Sequence, residues 1–215
     1  SPIAPERSLP GRPRYDYDLA RIHDVLGTSM LAPFPPGVVR LYLGMGCFWG
    51  AEKKLWQLPG VYTTAVGYQG GTTPHPTYHE VCTARTGQAE MVMVAYDPAA
   101  VGTLDVLRVF WENHDPTQGM RQGNDVGSQY RSAVYWTTAE QQSLVERSAA
   151  AYDEVLQAEG LDPITTELGP AVADGDPIRP FYYAEPYHQQ YLHKNPHGYD
   201  CHAHTGIRLP DLGWA

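Results

Sequence analysis

Cys47 lies in Gly44-Met45-Gly46-Cys47-Phe48-Trp49-Gly50, directly after the apolar stretch 38–43 and before an amphipathic segment. That spacing puts a thiol where a strand turns into a helix. Unpaired backbone N–H groups and the positive end of the helix dipole favour thiolate there, which predicts a lowered cysteine pKa and a nucleophile. The competing reading is a small buried hydrophobe, the usual fate of a free cysteine. Glu90 falls inside the apolar run Gln88-Ala89-Glu90-Met91-Val92-Met93-Val94. A carboxyl buried there is costly unless protonated or paired, and one kept neutral near pH 7 can donate a proton. Its alternative is a strand-start glutamate with its head in water. Two long loops, 69–87 and 115–131, add Tyr78, Asp125 and Tyr130, and tyrosine hydroxyls are neutral donors suited to holding a polar oxygen. With fifteen tyrosines in the chain, each is equally readable as an ordinary core or loop residue.

The elements that must position these groups follow from periodicity. Strands are predicted over 38–43, 61–68, 88–96 and 132–137, and helices over 48–58 and 104–114. The order β-α-β-β-α-β is the ferredoxin-like, split βαβ arrangement, so we expect an α+β fold with a mixed sheet and its helices on one face. Thr138 and Gln141 read as a capping box opening a helix that runs to Gly160. A strand over 164–168 and a short helix between Pro186 and Pro196 complete the elements. Residues 1–37 carry seven prolines and little apolar periodicity and read as an extended arm without chemistry. A catalytic domain over 38–200 and a tail over 201–215 follow.

Composition narrows the function. The 215 residues are 42% hydrophobic and 18% charged, enough for one domain with a full core. A net charge of −9 without any Lys/Arg cluster argues against nucleic acid or an anionic membrane surface as partner, and favours a monomer. No apolar run reaches transmembrane length and no secretion signal shows, so the cytoplasm is the default. Three cysteines, Cys47, Cys82 and Cys201, are too few and too scattered for a disulfide scaffold. Cys82 is expected to be a buried structural thiol.

Several linked motifs, in order, resemble the peptide methionine sulfoxide reductases of type A. They are Gly46-Cys47-Phe48-Trp49-Gly50, Thr86-Gly87-Gln88-Ala89-Glu90, Phe110-Trp111-Glu112-Asn113-His114-Asp115-Pro116, the run from Gln122 to Ser132, Tyr187-His188-Gln189-Gln190-Tyr191-Leu192 and Lys194-Asn195-Pro196. The resemblance spans roughly 41–201. It implies a two-layer α/β sandwich and a repair reaction on oxidised proteins and free methionine sulfoxide. Cys47, as thiolate, would attack the sulfoxide sulfur while the oxygen is protonated and leaves as water, releasing methionine and leaving a sulfenic acid on Cys47. By the same resemblance Glu90 is the proton donor, Tyr78 and Tyr130 bind the oxygen, Asp125 orders this network, and Phe48 and Trp49 wall the S-methyl pocket. The S epimer would be the substrate. Cys201, in Gly198-Tyr199-Asp200-Cys201-His202, matches the resolving cysteine, with thioredoxin as reductant, or dithiothreitol in vitro, and no bound cofactor. Asp200 stands between Tyr199 and Cys201 where the commoner pattern has nothing, and no cysteine follows Cys201, which implies a single-disulfide cycle. Gln88 stands where many members carry histidine, a difference expected to alter the pKa of Glu90.

Three rivals are testable. Cys201, His202, His204, His197, His193 and His188 cluster in the tail and would predict bound zinc, although zinc ligands usually come as two close pairs. A thiol peroxidase would share the nucleophile and resolving cysteine but needs an arginine beside the thiol, and the Cys47 motif has none. A redox-sensing module would form the Cys47–Cys201 disulfide without turnover.

Overall fold

The computed structural model describes residues 1–201 and 203–213. Its main elements are β1 (Val39–Met45), α1 (Phe48–Trp56), β2 (Val61–Gln69), α2 (Tyr78–Cys82), β3 (Ala89–Tyr96), α3 (Thr103–Glu112), β4 (Arg121–Gln122), β5 (Asp125–Val126), β6 (Ser132–Trp136), α4 (Ala139–Ala158), β7 (Glu167–Pro170), β8 (Tyr182–Tyr183) and α5 (Tyr191–Lys194). Six strands form one sheet in the order β7-β6-β1-β3-β2-β8. Its inner four, β6-β1-β3-β2, are antiparallel throughout, with β3 inserted between β1 and β2 as the split βαβ order requires. β7 pairs parallel with β6, which makes the sheet mixed.

Both faces of the sheet are covered, and this explains why β3 is buried at all eight positions instead of alternating. On one face Leu41, Leu43, Val92, Val94 and Val134 pack against Phe48 and Leu55 of α1, Phe110 of α3 and Tyr152 of α4. On the other, Tyr42, Ala65, Met91, Met93 and Tyr135 lie beneath Met30, Phe34, Ala171, Phe181 and Tyr183. Residues 20–34 therefore seal a sheet face, with Met30 fully buried.

This arm also enters a buried polar cluster that its sequence did not announce. His23 Nδ1 accepts from the backbone N–H of Val25 and of Leu26, leaving the proton on Nε2 for Thr64 Oγ1 at 2.8 Å. The Thr64 hydroxyl donates to Glu52 Oε2 at 2.6 Å, and Gln190 donates its backbone and side-chain N–H to the same carboxylate, each at 2.8 Å. Arm, helix α1, strand β2 and the 189–190 segment thus meet on one buried carboxylate.

Four local expectations need correction. The seventh strand starts at Glu167, not 164, because Ile164 N–H is held by Asp153 and Thr165 N–H by the Pro116 carbonyl, which keeps both off the ladder. The helix expected between Pro186 and Pro196 is a 3-10 turn, Pro186–His188, followed by α5. Between them Gln189 brackets the backbone of Val66 and Gln190 takes a left-handed φ of 49° to reach Glu52. At Thr138 the side chain does accept from Gln141 N–H, but the Gln141 side chain reaches Thr137 N–H, one residue beyond a capping box. A reciprocal capping box lies instead at Thr77 and Glu80, where it opens α2 inside what reads as loop.

Glu52→Ala would strand Thr64, His23 and the Gln190 amide without their acceptor. It should cost about 3 kcal/mol of unfolding free energy in chemical denaturation; an unchanged midpoint would show that the cluster contributes nothing to stability.

Candidate active site

β1 ends at Met45, Gly46 turns the chain at a φ of +87°, and Cys47 becomes the N-cap of α1. The first amide of the helix is taken: Phe48 N–H donates to Glu90 Oε1 at 3.1 Å, while the Cys47 side chain caps none of the helix amides and the nearby Trp49 N–H only favours its charged form. The placement matches expectation, but the expected lowering of the thiol pKa does not occur. Burial pushes Cys47 up, Glu90 and Asp125 push it further, and the single Trp49 N–H opposes them without prevailing. At rest the sulfur keeps its proton.

Glu90, in β3, is 2% exposed. Burial, with a smaller push from Asp125, raises its carboxyl to about 8 against the bond from Phe48. It is a neutral acid at neutral pH. Gln88 plays no part in this: its amide staples the loop, accepting from Gly71 N–H and donating to Thr73 O.

Tyr78 opens α2, and Glu185 fixes it there. Glu185 Oε2 accepts from Tyr78 N–H at 2.8 Å while Oε1 accepts from the Tyr68 hydroxyl at 2.8 Å. Tyr130 closes a 3-10 turn, Ser128–Tyr130. Both phenols are raised first by burial and next by Glu90, so both stay protonated donors beside that carboxyl. Arg131 bolts the two long loops together, donating from Nη1 to Ser128 O and from Nη2 to Gly87 O, each at 2.9 Å.

The aromatic wall is larger than Phe48 and Trp49. Trp49 stacks on Tyr191 with centroids 3.8 Å apart, and its Nε1–H donates to His188 Nδ1 at 2.9 Å. That bond leaves the His188 proton on Nε2, where no partner meets it, and burial lowers the ring to about 4. The same imidazole lies 5.2 Å from the Phe48 ring and 4.4 Å from the Tyr78 ring. The sequence reading assigned His188, Glu185, Tyr191 and Arg131 no role at this site. The Tyr187–Leu192 motif pointed at two of them, but their partners stand over a hundred residues away.

Asp125 joins the tail to the site. Its Oδ1 accepts from the Tyr199 hydroxyl at 3.1 Å, Cys201 lies beside the same carboxylate, and Oδ2 is buried without a partner. Burial raises the Asp125 carboxyl, with Tyr199 and Cys201 opposing. Cys201 and Cys47, both free thiols, line one small cavity of about 10 Å³ with Gly50, Lys54 and Asp200. All eight residues singled out for the site are thus gathered at one end of β1 and β3.

Cys82 is exposed, not buried; it lies one helical turn beyond Tyr78, beside that hydroxyl. The tail histidines disperse: His188 is buried against Trp49, while His193, His197 and His204 are exposed, and His202 lies outside the described residues. Among the described residues no three His, Cys, Asp or Glu side chains converge as a metal would require. No helix among them is long and apolar enough to cross a membrane. A cavity of about 430 Å³ between Pro59, Pro98 and Arg108 contains none of the site residues.

Comparison with known proteins identifies the family. Residues 39–211 match the family model described as peptide methionine sulfoxide reductase. The peptide methionine sulfoxide reductase MsrA of Rhodospirillum centenum is 57% identical over 203 residues, covering 94% of this chain and 89% of that protein. The MsrA of Salinispora arenicola is 55% identical over 210 residues, covering 97% and 92%. Among solved structures, methionine sulfoxide reductase A of Corynebacterium diphtheriae superposes with a TM-score of 0.84 at 43% identity, covering 98% of this chain and all of that one. Mxr1 of Saccharomyces cerevisiae, in its reduced form, gives 0.69 at 31%, covering 84% and 98%. A thiol at a helix start, a neutral buried acid on the next amide and two phenols beside it thus stand within a chain that belongs to the peptide methionine sulfoxide reductase family.

Proposed function

We propose that the chain reduces methionine S-sulfoxide, free or within proteins, to methionine, repairing oxidative damage in the cytoplasm with thioredoxin as the final reductant. One observation carries the reading above all: the buried, neutral Glu90 carboxyl bonded to the amide next to Cys47. A sulfoxide oxygen leaves sulfur as water only after gaining two protons, and this site at rest holds two, on Glu90 and on Cys47 itself. Tyr78 and Tyr130, protonated donors beside Glu90, bind the oxygen, and the Phe48–Trp49–His188 wall takes the S-methyl group.

Cys47 delivers its electron pair to the sulfoxide sulfur as its proton and that of Glu90 pass to the oxygen, which departs as water. A second water attacks the Cys47 sulfur, methionine leaves with the bonding pair, and a proton returns to Glu90. The sum is thiol plus sulfoxide giving sulfenic acid plus methionine. Cys201 then attacks the Cys47 sulfenic sulfur, the S–S bond forms, the S–O bond breaks, and the oxygen leaves as water with the thiol proton. A dithiol such as thioredoxin or dithiothreitol restores both thiols and takes the disulfide. Monomeric action suits this scheme, since every proposed group comes from one chain.

The deciding assay supplies N-acetyl-methionine sulfoxide as separate S and R epimers with dithiothreitol. Only the S epimer should be consumed, and Cys47→Ser should consume neither. Cys201→Ala should release one equivalent of methionine yet fail to cycle with thioredoxin; normal cycling would remove Cys201 from the scheme. Glu90→Gln should slow the first equivalent roughly 100-fold. In the wild type that rate should fall as pH rises through about 8, where Glu90 loses its proton, and the variant should lack this limb. Native Glu90 keeps a proton that the unfolded chain releases near 4.5, so its contribution to stability is complete below that pH and is lost as pH rises through about 8. Glu90→Gln should therefore gain on the wild type in thermal stability from pH 5 to 8.5; parallel curves would contradict the buried neutral acid.

A further inference from the structure

Three consecutive tail residues dock on three different parts of the site. Tyr199 bonds Asp125 on β5, Cys201 Sγ lies 3.8 Å from the Gln122 carbonyl at the end of β4, and Asp200 sits against Gly50 in the first turn of α1. The contact at Gly50 is so close that a Cβ built there would overlap Asp200 Oδ1, while the Cys201 backbone N would stand 3.8 Å from it. Lys54, one turn along the same helix, lines the cavity that Asp200 shares with Cys47 and Cys201.

The position of this carboxylate within the turn is specific. Glu90 occupies the Phe48 amide, and Asp200 lies beside Gly50, two residues further along the same turn. An anion at a helix start is stabilised by the dipole there. Because Asp200 directly precedes Cys201, whatever holds the carboxylate also holds the second thiol within reach of the first.

We propose that Asp200 is a positioning residue for disulfide formation: seated on the Gly50 turn, it latches the tail so that Cys201 faces the Cys47 sulfur across the shared cavity. This rests on the proposed role of Cys201 and deepens it. The latch raises the effective concentration of one thiol at the other without touching the reacting atoms. It also gives Gly50 a purpose apart from the helix, because any side chain there expels the carboxylate.

The test follows the second thiol. Reduced enzyme is mixed with one equivalent of S-sulfoxide in the absence of reductant, and the Cys47–Cys201 disulfide is quantified over time by thiol titration and mass. Asp200→Asn should close roughly fivefold more slowly than the wild type, the size expected for losing one charge at a helix start. Raising salt should slow the wild type and leave Asp200→Asn unaffected, a response that a packing contact alone would not show. Gly50→Ala, which favours the helix by propensity, should reproduce the slow closure from the other side of the contact. The double variant should be no slower than either single one. Wild-type closure in Asp200→Asn, salt-insensitive wild-type closure, or additive effects of the two substitutions would each overturn the latch. Cys201→Ala in the same assay separates the two ideas: a Cys47 disulfide formed with Cys82 instead would refute the role of Cys201 and the latch with it, whereas no disulfide there together with fast closure in Asp200→Asn would refute only the latch.

Discussion

The hydrogen bond from Phe48 N–H to Glu90 is the contact around which the site is organised. It ties the residue after the nucleophile to the middle strand of the sheet, so thiol and acid hold one relative position however the loops move. It also commits the strongest donor at the helix start to the acid. Cys47 caps no amide, and the nearby Trp49 N–H is too little to offset burial, so the sulfur rests as a thiol. The helix start serves here to place a protonated pair, not to generate a standing thiolate. In the proposed reaction proton and electron transfer come together when a sulfoxide arrives, and a resting thiol spares the sulfur from wandering oxidants that prefer thiolate.

Around that pair, most of the polar fixing is done by groups that take no part in chemistry. Glu185 holds Tyr78 and Tyr68, Arg131 clasps the two loops by their carbonyls, and Glu52 gathers arm, helix and the 189–190 turn. The two phenols, one opening a five-residue helix and one closing a 3-10 turn, are placed by charged side chains that bond the main chain beside them. Arg131 thereby commits two of its donors to the carbonyls of Ser128 and Gly87.

Residues whose role depends on their own neighbours in sequence were legible: Cys47 after a strand, Glu90 in an apolar run, the β-α-β-β-α-β order. The inward face of β3 could not be chosen by alternation, because helices cover one side and arm residues the other. The Thr77–Glu80 box was written plainly in the chain but lay inside a stretch taken as loop. Cys82 was misplaced because free cysteines are usually buried, whereas a five-residue helix has an outer side to fill. The roles of Glu185, His188 and Arg131 could not be read, although motifs containing His188 and Arg131 could, since those roles lie in partners set by tertiary folding.

The arm bears on how the molecule is made. Tyr17, Asp24 and Met30 bond to residues 183 and 190, and His23 reaches Thr64 beside the carboxylate that Gln190 shares. During synthesis the arm leaves the ribosome early, yet half of its seat is translated more than 150 residues later. Contacts of such separation form late. The sheet face that Met30 seals stays open until then, and the emerging chain exposes Met91 and Met93 beside it, side chains of the very type that oxidants attack. A protein that mends oxidised methionine is thus itself most exposed to that damage in the interval before its two ends meet.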